Sequence, residues 1–151
     1  RRINCQTRNN FKMPNDILAR SVVDHMMDHD FFSQWMGIEV LEIKEGYSRI
    51  RMTIRNEMVN GFGIAHAGIT YSLADSAFAF ASNSNGRKAV SIETSINHIK
   101  PVMVGDELTA IAEQTSLGHK LGIYHVRVMR GDELVAHFKG VVYRKEQSWE
   151  V

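Results

Sequence analysis

The chain contains little cysteine and no excess of charge of either sign. It has 151 residues, and its single cysteine, Cys5, lies in a polar N-terminal stretch. One cysteine cannot form an intramolecular disulfide, so a reducing compartment, the cytoplasm, is expected. The 18 Lys and Arg residues and 17 Asp and Glu residues give a net charge of +1. These charges are spread along the chain and form no basic stripe, so binding to nucleic acid is not predicted.

Long hydrophobic runs are also missing. The most apolar segment, residues 67–81, contains Thr70, Ser72, Asp75 and Ser76. It is shorter than the roughly 18 consecutive apolar residues that indicate a membrane-spanning helix, so no membrane partner is predicted. With 44% hydrophobic residues, the chain is long enough to bury about two-thirds of its unfolded surface as one domain.

The composition divides the chain into three segments. Residues 1–13 read as a flexible leader, because they are polar and basic and lack the apolar stretch of a secretory signal. Whether Met13 is the natural start, or the leader is the remnant of a targeting segment, stays open at this point. Residues 14–147 are predicted to form the single domain, and residues 148–151 a C-terminal tail.

Hydrophobic periodicity predicts an α+β fold. Apolar residues at steps of three and four predict an amphipathic helix over residues 15–32, and the run at 67–83 predicts a buried helix. Alternating patterns predict strands, which are the segments 38–43, 47–54, 90–98, 107–115, 121–130 and 133–143. No strand alternates with a helix as in βαβ units, so an antiparallel sheet wrapped around one long central helix is favoured.

Asp75 is an exception within that buried helix. It is the one Asp, Glu, Lys or Arg between Glu57 and Arg87. Placing an ionised carboxylate in a core costs several kcal/mol unless partners compensate. Asp75 is therefore a candidate catalytic group, and the alternative is a structural acid that caps a loop or pairs with a buried histidine.

A glycine-rich loop, residues 60–68, precedes the same helix. The free N–H groups of a first helical turn stabilise an oxyanion, and Ala67 and Gly68 are the predicted donors. Asp75 would act as a general base on water or as a nucleophile. Eight residues of helix place it about 12 Å from Ala67 along the axis. The acyl-transfer hypothesis thus predicts a homodimer in which each site combines Ala67 of one chain with Asp75 of the other.

The segment N-G-F-G-I-A-H-A-G-I-T-Y-S-L-A-D-S-A-F-A-F-A-S-N, Asn60 to Asn83, resembles the PaaI-type hotdog acyl-CoA thioesterases of phenylacetate degradation. The order of elements from about Phe32 to Arg144 agrees with that family. The resemblance implies a hotdog fold, hydrolysis of coenzyme A thioesters, and homotetramers built from dimers. It implies no separate cofactor, because coenzyme A is part of the substrate.

The resemblance also implies roles for individual residues. Asp75 corresponds to the catalytic acid, Asn60 to the loop asparagine that positions water or substrate, and His66 to the histidine that opens the oxyanion loop. Ser91 falls where some relatives carry a serine that orients water. The family usually has His-Gly-Gly where this chain has His66-Ala67-Gly68, and alanine keeps the backbone N–H. Asn60 as a simple turn former, and Ser91 as an ordinary strand residue, remain alternatives.

Further residues are candidates for substrate binding. Tyr71 and Phe78 would contact the acyl group or simply pack in the core. Basic residues near turns would meet the phosphates of coenzyme A or remain at the solvated surface, and these are Arg87, Lys88, Lys100, His119 and Lys120. His25 and His29 lack a third ligand, so no metal site is predicted.

Thioester hydrolysis has two competing functional hypotheses. A non-catalytic acyl-CoA sensor on the same fold is the alternative, but the sequence shows no DNA-binding extension as an output element. A hydratase or dehydratase would require histidine and acidic pairs at a different spacing.

Overall fold

The computed structural model describes residues 14–151, so the predicted leader and Cys5 lie outside the described residues. The elements in chain order are α1 (Asn15–His29), α2 (Phe31–Met36), β1 (Glu39–Lys44), β2 (Tyr47–Thr53), a 3-10 turn (Asn56–Met58), α3 (Ala67–Asn83), β3 (Arg87–His98), β4 (Glu107–Leu117), β5 (Leu121–Arg130) and β6 (Glu133–Ser148).

The six strands form one antiparallel sheet in the order β1-β2-β4-β5-β6-β3. The sheet wraps around α3, and every second residue of its strands points at the helix. One row of directly paired residues on that side is Ile50, Ala110, Val128 and Ala136, and all four are fully buried. The predicted α+β hotdog architecture is confirmed.

Small residues let α3 lie close to the sheet. Gly140 of β6 sits under Phe78, and a Cβ atom at Gly140 would fall 2.6 Å from the Phe78 ring. The ring also packs against Tyr124 and Phe138, with centroid distances of 5.8 and 5.6 Å. A side chain at position 140 would push the helix off the sheet, since cores are packed too tightly to absorb it.

The first helix differs from its prediction. Residues 15–32 were expected to form one helix, but α1 ends at His29 and α2 begins at Phe31. Asp30 lies between them in a non-helical conformation, and its carboxylate accepts the N–H of Ser33 at 2.9 Å. An aspartate that caps a new helix in this way satisfies an otherwise unpaired N–H. The apolar residues keep their helical spacing on both sides of Asp30, so the sequence pattern does not indicate the break between α1 and α2.

The C-terminal residues 148–151, which the sequence predicts to be a tail, contact the rest of the domain. β6 continues to Ser148, one residue past the predicted domain boundary. The Trp149 indole donates to Oδ1 of Asn83 at 2.9 Å, and its backbone N–H donates to the Gly86 carbonyl. Within residues 14–151, no helix combines the length and the apolar character needed to cross a bilayer.

Candidate active site

The loop before α3 is shaped by its own polar groups. The Asn60 N–H donates to the Ile64 carbonyl at 2.8 Å, and the Asn60 side-chain oxygen accepts the Phe62 N–H at 2.9 Å. Gly63 completes the turn at a φ of 76°, a left-handed value that favours glycine. Asn60 therefore forms the turn, as the turn-former alternative for the Asn60-Gly61 dipeptide predicts. It also lines a cleft beside α3.

His66 caps α3. It has an extended backbone, and its Nδ1 accepts the N–H of Gly68 at 2.9 Å. The sequence predicted Ala67 and Gly68 as oxyanion donors, but His66 already engages the Gly68 N–H. The Ala67 N–H finds no acceptor within residues 14–151. It lies at the positive end of the helix, so it is the group that can receive a developing oxyanion.

Asp75 lies two turns farther along α3 and is half-buried. Burial raises the pKa of its carboxyl above the ordinary value, and the nearby charge of Asp30 raises that pKa further. No hydrogen bond from residues 14–151 stabilises its ionised form. A carboxylate that is desolvated and unpaired is a stronger base than an exposed one, which suits proton abstraction near neutral pH.

Ser91 lies on β3 near the level of Asp75, measured along the axis of α3. Two contacts show that α3 runs antiparallel to β3: the Tyr71 and Thr94 hydroxyls are 2.7 Å apart, and the Asn83 side chain bonds both backbone groups of Ala89. Asp75 follows Tyr71 by one turn, about 6 Å, which corresponds to about two strand residues. Moving that distance back from Thr94 reaches the bulge next to Ser91.

The face on which Ser91 lies is given by its cross-strand neighbour. Ser91 pairs with Val142 of β6, which is buried against α3. Directly paired residues share a face of the sheet, so Ser91 lies on the helix side although it is exposed in the single chain.

The single chain therefore contains two separate groups of candidate residues. Asn60, His66 and Ala67 gather at the N-terminus of α3. Asp75 and Ser91 lie farther along the helix. Because α3 begins at Ala67 as predicted, the separation of about 12 Å between Ala67 and Asp75 along the axis stands. Each group has only part of what acyl transfer needs.

Two clefts flank the helix N-terminus. One, of about 300 Å³, is lined in part by Asn60, Ala67, Thr70 and Lys100. The other, of about 360 Å³, is lined in part by Phe32, Met58, His66 and Ser72. Both present apolar surface together with a few polar groups, which is the general composition of a small-molecule site. Ala67 lines the first of them.

The basic candidates for phosphate binding are not equivalent. The Arg87 guanidinium donates to the backbone carbonyls of His119, Arg144 and Lys145 and fastens β3 to β6. Each of its three nitrogens donates to a protein carbonyl, so a structural role accounts for Arg87 without a substrate phosphate. The Lys88 ammonium lies over the Trp149 ring at 5.1 Å.

The remaining basic candidates lie at two ends of the sheet. His119 and Lys120 are exposed in the turn between β4 and β5, beside Arg87. Lys100 is two residues past the far end of β3 and lines the 300 Å³ cleft. One chain thus does not bring all five basic candidates into a single cluster.

The two aromatic candidates have structural contacts. Phe78 is 1% exposed and packs against Tyr124 and Phe138, so in this chain it is a core residue. Tyr71 is half-buried, and its hydroxyl bonds Thr94.

The clefts are also lined by residues that the sequence pattern does not single out, among them Phe32, Met58 and Ser72. His25 and His29 line a third cleft with Asp30, and residues 14–151 hold no cluster of three or more His, Cys, Asp or Glu that suits a metal.

The chain is similar in sequence and in structure to known proteins. The model of the Thioesterase superfamily matches residues 62–137. A protein of Archaeoglobus fulgidus is 38% identical over 87% of this chain and 86% of its own length. The acyl-coenzyme A thioesterase PaaI of Escherichia coli is 35% identical over 79% of this chain and 86% of its own. The structure of the E. coli PaaI protein superposes with a TM-score of 0.87, at 32% identity, covering 89% of this chain and 99% of that one.

Proposed function

This chain belongs to the thioesterase superfamily, and from that premise we propose that it hydrolyses acyl-CoA thioesters at a site shared by two subunits. One observation carries the proposal: the Ala67 N–H and the Asp75 carboxylate are each without a hydrogen-bonding partner in residues 14–151, yet they lie about 12 Å apart on one helix. Two antiparallel copies of α3 side by side would bring each donor to a carboxylate.

The chemistry follows from these two groups. The thioester carbonyl oxygen accepts the Ala67 N–H, which stabilises the negative charge that forms on attack. The partner's Asp75 takes a proton from water while the water oxygen bonds to the carbonyl carbon. Collapse of the intermediate breaks the carbon–sulfur bond, and the thiolate of coenzyme A takes up the proton. The acyl group leaves as a free acid.

A covalent route with the same groups remains within this proposal. The Asp75 carboxylate would attack the carbonyl carbon, expel the thiolate and form an anhydride that water then hydrolyses. Ser91, on the helix side of β3 near the level of Asp75, would orient that water. Asn60 and His66 shape the loop that presents the Ala67 N–H, and so act on the site through its position.

The edge of the sheet supports the dimer. β3 is an edge strand of 12 residues, and Val90 and Ile92 on it are exposed. A long exposed edge of this kind favours pairing with another strand. Antiparallel pairing of two β3 strands makes the two-fold axis that the shared site requires. Association of two such dimers into a tetramer rests on the family resemblance.

Dimer formation also bears on substrate binding. In an antiparallel pair, the end of β3 near Lys100 meets the start of the partner's β3. That start carries Lys88, and the turn with Lys120 lies beside it. Basic side chains that are separated in one chain would thus meet across the interface, where they can bind the phosphates of coenzyme A. The acyl group then enters a cleft at the Ala67 N–H.

The deciding experiment is a panel of aromatic and aliphatic acyl-CoA thioesters with a colorimetric readout of released thiol. Wild-type protein is expected to hydrolyse members of the panel, and Asp75→Asn to lose about 10²–10⁴-fold in kcat. The exposed Asp28→Asn is the matched control and should keep wild-type turnover. Full turnover by Asp75→Asn would contradict the assignment, and tight binding of acyl-CoA without turnover by wild type would indicate a sensor.

A further inference from the structure

A chain of hydrogen bonds leads from the junction of α1 and α2 to the turn of α3 that carries Asp75. Asp30 accepts the Ser33 N–H at Oδ1 over 2.9 Å and the Ser33 hydroxyl at Oδ2 over 2.6 Å. The Ser33 Oγ lies 2.8 Å from the Ser76 Oγ. Ser33 and Ser76 are both buried, and Ser76 directly follows Asp75. A polar link this deep in the core is costly to leave incomplete.

The direction of this chain is determined by its protons. A serine hydroxyl has one hydrogen, and that of Ser33 is given to Asp30. The contact between the two serines is therefore a donation from Ser76 to Ser33. The carboxylate of Asp30 terminates the chain as the acceptor of both Ser33 bonds.

The charge on Asp30 is not neutralised by an ion pair. None of the ion pairs within residues 14–151 includes it. Its field reaches Asp75 and raises the pKa of that carboxyl, in addition to the larger effect of burial. The network thus connects Asp30 to the Asp75 turn both mechanically and electrostatically.

The other charged or titratable groups around α3 do not replace this effect. Glu93 of β3 is paired with Lys139 at 3.0 Å on the opposite face of the sheet. The strand residues that face α3 are otherwise mostly uncharged. Other titratable groups near the helix include His66 and Tyr71 on α3, Tyr124 on β5, and the cleft residues Glu57, His98 and Lys100 at the N-terminus of α3. His25 and His29 line a cleft with Asp30 on the α1 side.

We propose that Asp30 is a positioning residue for the reaction, acting through Ser33 and Ser76 on the turn of α3 that presents Asp75. This inference rests on the proposed function for its catalytic meaning. The Ser33 and Ser76 hydroxyls fix the rotation of α3 against α2. The charge of Asp30 adds to the effect of burial on Asp75, which makes the Asp75 carboxylate a stronger base. A helix cap alone would need neither Ser76 nor the charge.

The central test separates the charge from the cap. Asp30→Asn keeps a good capping residue and removes the negative charge, and Asp28→Asn makes the same change on an exposed residue two positions away. Carbon-13 NMR titration of the Asp75 carboxyl is expected to show a lower pKa in Asp30→Asn and no change in Asp28→Asn. An unchanged Asp75 titration in Asp30→Asn, or an equal shift in both variants, would overturn the proposal.

Kinetics test the hydroxyl link. Ser33→Ala leaves the charge of Asp30 in place and removes the bridge to Ser76. It is expected to lower kcat by up to about tenfold through misplacement of Asp75, with KM unchanged and the acid limb of the pH profile in place. In Asp30→Asn that acid limb should move to lower pH. If neither Ser33→Ala nor Ser76→Ala changes kcat, the link does not position the site.

A second capping variant and a readout that needs no turnover cover the cases in which Asp30→Asn misfolds or the wild type is inactive. If Asp30→Asn fails to fold, Asp30→Ser supplies another uncharged capping residue and is read in the same titration. The NMR titration reports on Asp75 without turnover. Absence of thioester hydrolysis by the wild type would therefore overturn the proposed function, while the Asp75 titration would still decide the influence of Asp30.

Discussion

The Gly68 N–H donates to Nδ1 of His66 over 2.9 Å, so the histidine caps the helix that follows it. Nδ1 must then be unprotonated, and the neutral ring carries its hydrogen on Nε2. This arrangement uses the second N–H of α3 and leaves the first, on Ala67, for a ligand. The cap therefore selects which of the two donors is available.

The cap predicts a difference between two substitutions of His66. His66→Ala removes the acceptor and is expected to destabilise the protein by about 1 kcal/mol, whereas His66→Asn supplies another capping oxygen and should be close to wild type. Urea denaturation at one fixed protein concentration measures both, since association also affects apparent stability. Equal stability of His66→Ala and wild type would show that the bond contributes nothing.

The Ala67 N–H can be removed with little change to the backbone. Proline is favoured at the first position of a helix, and His66 already has the extended conformation that precedes proline, with ψ at 136°. Ala67→Pro is expected to lower kcat by about 10²–10³-fold, the usual effect of losing one oxyanion donor. Ala67→Gly keeps the N–H and is the control, with turnover within a few-fold of wild type. Equal losses in both would point to the side chain instead.

The sequence predicted the central helix and its ends because those signals are local. α3 spans Ala67–Asn83, as its apolar pattern and flanking glycines indicate. The loop shape likewise follows from Asn60 and its neighbours. The distance of about 12 Å between Ala67 and Asp75, on which the proposed shared site rests, follows from the helical rise per residue and the two sequence positions alone.

Contacts between distant parts of the chain were not predictable in the same way. Ser33 and Ser76 are 43 residues apart, and each is an ordinary polar residue in its own segment. Arg87 resembled a surface cation, but its partners Arg144 and Lys145 come 57 and 58 residues later. The sequence does contain a signal for the helix break, because Asp30 stands where an aspartate can cap a new helix at Ser33. The apolar periodicity continues past Asp30, however, and therefore favours one uninterrupted helix.

The exposed edge of the sheet predicts an effect on assembly. Ile92 on β3 is 57% exposed in the single chain, and a charge there should prevent pairing of two β3 strands. Ile92→Asp is expected to sediment as a monomer and to lose turnover, since one chain lacks a complete site. Ile17→Asp on α1, which is 52% exposed, is the control. A dimeric, active Ile92→Asp would exclude β3 as the interface.

The raised pKa of Asp75 predicts how its removal affects stability at different pH. The folded protein binds more protons than the unfolded chain between the ordinary carboxyl pKa and the raised one, so this group lowers stability as pH rises through that window. Asp75→Asn should therefore be more stable than wild type at neutral pH, with the difference shrinking in acid below the ordinary pKa. Thermal denaturation of both proteins across pH tests this, and a lower stability of Asp75→Asn at neutral pH would show compensation by a partner.

A shared site predicts that two inactive variants restore each other. In a heterodimer of Asp75→Asn with Ala67→Pro, one site joins the intact Ala67 of the first chain to the intact Asp75 of the second, and the other site carries both defects. Random mixing makes about half of the dimers mixed, and half of their sites intact, so about a quarter of wild-type activity should return. Each variant refolded alone is the control. If Ala67 and Asp75 acted within one chain, every site in the mixture would carry a defect and no activity would return, so this measurement distinguishes a shared site from a site in a single subunit.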